Sequence, residues 1–144
     1  MKIALMSEGH LDAIHKIDTE TNISPWKYES LQSSLEVGHH GLVSVQEHTI
    51  NGFVIFSPIP PDCHILNIAV DINSQRSGVG TFLLKKTIQQ SKAMKIKRIY
   101  LEVRVSNENA ITFYEGFGFI KDAIRGKYYP GNPREDALLM SLSI

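Results

Sequence analysis

The chain has 144 residues, a length typical of one domain that buries a core without disulfide or metal support. Its 15 basic and 15 acidic residues cancel, which removes any whole-chain electrostatic basis for binding duplex DNA, RNA or an anionic membrane surface. A single cysteine, Cys63, excludes an internal disulfide framework and a four-cysteine zinc module.

No apolar run reaches the roughly 7–15 residues of a secretory signal or the about 20 of a membrane span, so the expected address is cytoplasmic. There is no repeat, charge block or linker, and residues 1–144 are expected to form one domain. Residues 2–6 read as a first strand. Ser7 is placed to cap a helix with Leu11, Ile14 and Ile17 on its apolar face and Asp12, Asp18 and Glu20 on its solvated face. Ser24 followed by Pro25 predicts the start of a second helix. Three β-like runs follow at 41–46, 52–56 and 64–70, with the proline-rich residues 57–62 read as a turn.

A long helix is predicted from Gly78 to about Met94, with Phe82, Leu83 and Ile88 among its apolar positions. Residues 97–104 alternate cleanly, with Ile99, Leu101 and Val103 on one face and Tyr100, Glu102 and Arg104 on the other. A helix over 107–115 closes at Gly116 and Gly118 before two final strands, about 119–128 and 137–142. The order β-α-α-β-β-β-α-β-α-β-β predicts an α/β fold with a mixed sheet of about seven strands flanked by about four helices.

The most informative stretch is 67–86, where a strand enters a short loop, a glycine turn and an amphipathic helix. Gly78 and Gly80 fall where the loop becomes the helix. The first amides of a helix lack internal acceptors, so such a turn can hold phosphate oxygens, with Arg76 adding a full positive charge. The same residues fit a plain tight turn equally well. No Gly-Lys-Ser/Thr follows, and the first glycine of a dinucleotide fingerprint is absent.

Gln75-Arg76-Ser77-Gly78-Val79-Gly80 resembles the Gln/Arg-x-x-Gly-x-Gly/Ala pyrophosphate motif of the GNAT N-acetyltransferases, which bind acetyl-coenzyme A. The blocks LNIAVD, YLEVRVSNENAITFYEGFGF, IRGKYYP and EDALLM extend the resemblance over nearly the whole chain, toward the RimI-type ribosomal-protein-alanine N-acetyltransferases. The resemblance implies two splayed parallel strands ending near Val70 and Glu102, with acetyl-coenzyme A between them. Backbone groups of Ile68, Ala69 and Val70 would pair with the pantetheine. Amides of Arg76, Ser77, Gly78, Val79, Gly80 and Thr81 would hold the pyrophosphate. Asn107 matches a cofactor-contacting asparagine and also suits a helix N-cap.

By the same resemblance Glu102 is the general base and Tyr114 the general acid; without it they read as a solvated strand glutamate and a core aromatic beside Phe113 and Phe117. An α-amine has a pKa of roughly 7.7–8.0 against about 10.4 for lysine, so freeing an N-terminus is cheaper by roughly 3 kcal/mol. The resemblance also makes Pro25 and Trp26, and Tyr128 and Tyr129 with Pro130 in the penultimate loop, the expected peptide contacts. Trp26 fits a buried core position just as well.

No histidine or carboxylate spacing suggests a metal, and Cys63 has no neighbouring base. The resemblance makes the expected partner a ribosomal-protein N-terminus, bound by a monomer or weak dimer. The alternatives are acetylation of a small amine (a polyamine, antibiotic or amino acid) and a coenzyme A-binding module without turnover.

Overall fold

In the computed structural model, which describes residues 1–144, seven strands form one sheet with helices on both faces. The chain runs β1 (Lys2–Leu5), α1 (Leu11–Thr21), α2 (Tyr28–Glu36), β2 (His40–Gln46), β3 (Thr49–Ile59) and β4 (Asp62–Val70). It continues through α3 (Val79–Ala93), β5 (Arg98–Arg104), α4 (Glu108–Gly116), β6 (Ile120–Tyr129) and β7 (Glu135–Ser143). This is the predicted order of elements. The sheet runs β1-β2-β3-β4-β5-β7-β6, and its one parallel pair is β4 with β5.

Strand β3 shows how the core is divided. Residues 51–56 are all buried, because helices cover the sheet above and below. Val54 and Phe56 join Val79, Leu83 and Leu84 of α3 and Ile111 of α4. Phe53 and Ile55 face the other way, into Leu11, Ile14 and Ile17 of α1 and Leu31 of α2. The period-two alternation of a strand thus feeds two separate cores.

Four local expectations are corrected. Pro25 does not open α2, which starts at Tyr28 after an extended Lys27 with φ −69° and ψ 152°. The Trp26 amide is held by the Asp18 carboxylate at 2.8 Å, which keeps the connection out of the helix. Asp18 is itself fully buried, whereas Asp12 and Glu20 are solvated as expected. Residues 57–59 continue β3, since the ladder runs to the Ile59–Asp62 pair and leaves only Pro60 and Pro61 as the turn. Tyr128 and Tyr129 end strand β6 rather than lying in the following loop, where only Pro130 falls.

Candidate active site

The site begins with a fork in the sheet. β4 and β5 pair only at Asp62–Arg98, Cys63–Ile99 and His64–Tyr100. The rings of His64 and Tyr100 stack there, with centroids 5.1 Å apart. Ile55 then opposes Asn67 while Phe56 opposes Ile65, so Leu66 is an extra residue, a bulge in β4. A bulge bends its strand and sharpens the local twist, which turns the rest of β4 away from β5. Ile68, Ala69 and Val70 remain paired with β3 on one side, and their β5-facing edge has no strand partner. An extended molecule carrying amide groups fits such an edge.

At the open end of the fork stands the start of α3. Arg76 and Gly78 both lie in the left-handed region, with φ of 61° and 88°. Gly78 tolerates this because it lacks a Cβ, and it serves as the N-cap without any side-chain capping bond. The amides of Val79, Gly80 and Thr81 are therefore the uncompensated first-turn donors. Gln75 secures the loop by donating to the Val70 carbonyl at 3.2 Å, and the Ser77 hydroxyl donates to the Ser74 carbonyl. Asn107 caps α4, its side-chain oxygen accepting from the Ala110 amide at 3.2 Å.

Glu102 projects from β5 between the buried Leu101 and Val103, its side chain 32% exposed. Its carboxylate lies 3.4 Å from the Arg125 guanidinium of β6. The Tyr128 hydroxyl lies toward the same carboxylate, whose pull on the phenol proton is the main reason its pKa is raised. Tyr129 is pushed up to about 12, chiefly by burial and then by the charge of Glu102. Burial also raises Tyr114 strongly, with the neighbouring Tyr129 adding to the shift. Tyr114 belongs to the core, its ring edge-on to Phe113 and Phe119, whereas Phe117 packs on Phe113 instead.

The bend that aims Tyr128 and Tyr129 is specific. Between Arg125 and Tyr129 the β6 register slips against β7, with Lys127 at φ 51°. Asp136 accepts from the Lys127 amide at 2.8 Å, and Arg134 donates to the Lys127 and Tyr128 carbonyls. Across the opening, Trp26 packs on the α1 and α2 core, which leaves it a half-buried residue in a turn. A separate groove of about 700 Å³ follows α2 past Pro25, Trp26, Glu29 and His39, and none of Glu102, Tyr114, Tyr128 or Tyr129 lines it.

Of the residues named from sequence, the structure brings Glu102, Tyr128 and Tyr129 together, with Tyr114 near Tyr129 in the core behind them. It sets Ile68, Ala69 and Val70 and residues 76–81 along the fork. Pro25 and Trp26 stand on a separate turn. Nothing in the sequence marks Arg125, and Asp18 reads there as a solvated residue. For Asp18 the signal was present, since it lies seven residues after Leu11 and four after Ile14, on the same apolar stripe. No group of three or more His, Cys, Asp or Glu side chains gathers to hold a metal, and no helix is long and apolar enough to cross a membrane.

The acetyltransferase (GNAT) family pattern matches residues 11–119. The chain belongs to that family. As a GNAT protein it is an acyltransferase that draws its acetyl group from acetyl-coenzyme A. It is 32% identical over 143 residues to the [ribosomal protein bS18]-alanine N-acetyltransferase of Escherichia coli K12, covering 99% of this chain and 97% of the relative. The enzyme of the same description from Haemophilus influenzae is 31% identical over 132 residues, 90% of each chain. The crystal structure of the ribosomal-protein-S18-alanine N-acetyltransferase from Escherichia coli superposes with a TM-score of 0.93 over 99% of this chain and 93% of that one, at 32% identity. Ard1 from Thermoplasma volcanium shares the fold at a TM-score of 0.92 and 22% identity, over 99% of this chain and 97% of that one.

Proposed function

We propose that this GNAT enzyme acetylates the N-terminal α-amine of a small-subunit ribosomal protein whose first residue is alanine. One observation carries the reading. The similarity to the bS18-alanine enzyme runs through 99% of the chain, so it includes the Pro25–Trp26 turn and the Tyr128–Tyr129 segment on the substrate side. Residues 1–144 act as one catalytic domain, and the reaction belongs in the cytoplasm.

Acetyl-coenzyme A supplies a thioester whose carbonyl carbon takes the amine lone pair as the C–S bond breaks. The open edge of β4 at Ile68, Ala69 and Val70 pairs with amides of the pantetheine arm. Amides of Arg76, Ser77, Gly78, Val79, Gly80 and Thr81 and the Arg76 guanidinium hold the pyrophosphate. Since the Asn107 oxygen is committed to its cap, a cofactor contact from this residue falls to its amide nitrogen.

Glu102 takes a proton from the incoming ammonium, directly or through one water. The α-amine suits a carboxylate base, because its pKa of roughly 7.7–8.0 leaves a free fraction near neutrality. Arg125 already sits on the Glu102 carboxylate, so the two cations compete for it. Tyr114 stays protonated because it is buried, and its hydroxyl donates toward the departing sulfur. With a thiol pKa of about 8.5, a positioned hydrogen bond contributes as much as full proton transfer. Pro25, Trp26, Tyr128 and Tyr129 border the peptide.

The test uses a peptide that begins with alanine and contains a lysine, with and without a blocked α-amine. Acetyl transfer to the free peptide alone is expected. Equal transfer to the blocked peptide, or transfer only to polyamines and other small amines, overturns the reading.

A further inference from the structure

Arg104 is largely enclosed by the segments that border the substrate side, with a side chain 10% exposed. One terminal nitrogen donates to Glu135 at 3.1 Å. The other donates to the Ser24 hydroxyl on the α1–α2 turn and, at 3.4 Å, to the Pro130 carbonyl after β6. The guanidinium also lies 4.6 Å from the centroid of the Tyr129 ring. The second oxygen of Glu135 accepts from the Ser106 amide at 2.9 Å, at the corner that leads into α4. Hydrogen bonds from Ser106 hold the Glu135 carboxyl below its usual range, so the partner of Arg104 is charged.

We propose that Arg104 is a positioning residue for peptide binding, a clamp that fixes the α1–α2 turn against the end of β6. The inference rests on the peptide N-terminus reading above. Ser24 immediately precedes Pro25 and Trp26, and Pro130 immediately follows Tyr128 and Tyr129. One planar group therefore sets the separation of the two walls. Only arginine can do this, because its fork directs several N–H donors at once and its flat face stacks on a ring. A lysine ammonium is a single point charge and would keep Glu135 at most. None of the groups that Arg104 bonds directly lies at residues 68–70 or 76–81, and its one link toward Asn107 runs through Glu135 and the Ser106 amide. The larger effect therefore falls on the peptide.

Two readouts test this on the full chain with Arg104→Ala, Arg104→Lys and Ser24→Ala. In steady-state assays with the alanine-first peptide, Arg104→Ala raises the peptide KM about tenfold or more, with acetyl-coenzyme A KM within about twofold. Arg104→Lys recovers little of the loss, and Ser24→Ala gives a smaller rise of the same kind. Hydrogen exchange, which needs no turnover, shows residues 23–27 and 129–132 exchanging faster together in Arg104→Ala. Unchanged exchange in both segments, or equal rises in both KM values, overturns the clamp. If the wild type ignores the peptide, the function reading fails, and hydrogen exchange still decides whether Arg104 joins the walls. If Arg104→Ala does not fold, Ser24→Ala is read by the same two measurements.

Discussion

The Asp18 carboxylate joins the Trp26 turn to strand β4. One oxygen accepts from the Trp26 amide at 2.8 Å, and the other accepts from Asn22 and Asn67 side chains, each at 3.2 Å. Asn67 immediately precedes Ile68, so a single buried carboxylate ties the turn that carries Trp26 to the open edge of the fork.

Asp18→Ala removes an acceptor shared by three donors in a fully buried place. The expected cost is about 3 kcal/mol, because hydrogen bonds to a charged group are strong and the donors left behind are unpaired. Urea unfolding at pH 7 measures it. A loss under about 1 kcal/mol would show that water or a rotated amide replaces the carboxylate.

Glu102→Gln keeps the shape and removes the basic oxygen. Turnover of an alanine-first peptide at pH 7 should fall by about 100-fold or more, with coenzyme A binding retained by calorimetry. Unchanged turnover across the pH range would remove Glu102 as the base. Arg125→Ala, by contrast, should leave unfolding free energy within about 0.5 kcal/mol, since the pair it breaks is solvent-screened.

The strong signals in the sequence were periodic or conformational. β5 was legible because Ile99, Leu101 and Val103 alternate, and the start of α3 because glycine marks the change of backbone at position 78. The β4–β5 fork was not legible from periodicity: the extra residue, Leu66, is apolar like its neighbour Ile65, and only the register exposes it. Arg104 was hidden for another reason. A charge on a strand reads as solvated, and its burial depends on a partner as remote as Glu135. Asp18 carried a signal in its place on the apolar stripe of α1, but its partner Asn67 is as remote. Helix α2 was misplaced because Pro25 suits a first turn, whereas the Trp26 amide is diverted to Asp18.

Gly78 and Arg76 separate strain from charge. A Cβ at Gly78 meets nothing within 4 Å, so Gly78→Val acts through its φ of 88° and costs about 1–2 kcal/mol. It should also weaken coenzyme A by displacing the first-turn amides. Arg76→Gly relieves a left-handed non-glycine residue at φ 61°, so stability changes by less than about 1 kcal/mol. Coenzyme A affinity nevertheless falls about tenfold with the lost charge. Calorimetry with coenzyme A beside thermal melts reads both signs, and normal binding by both variants would refute the phosphate assignment.

Tyr129 makes alkaline stability diagnostic of the cluster. Its folded-state pKa is raised from 10.0 to about 12, chiefly by burial and then by Glu102, so unfolding releases a proton that the native state holds. The sign follows from linkage: its contribution is fully present below about pH 10 and is lost as pH rises toward 12. Urea midpoints of the wild type should fall between about pH 10 and 12, and Tyr129→Phe should remove part of that fall, the rest coming from groups such as Tyr114. Tyr114 is raised for the same leading reason, burial, and so stays protonated throughout the range in which an α-amine is free. The rate of acetyl transfer should then climb through about pH 8 and level off, with no decline from phenol ionisation before the fold itself weakens. A descending limb near pH 9 that disappears in Tyr114→Phe would mean that the hydroxyl ionises while the protein is intact, contrary to its burial.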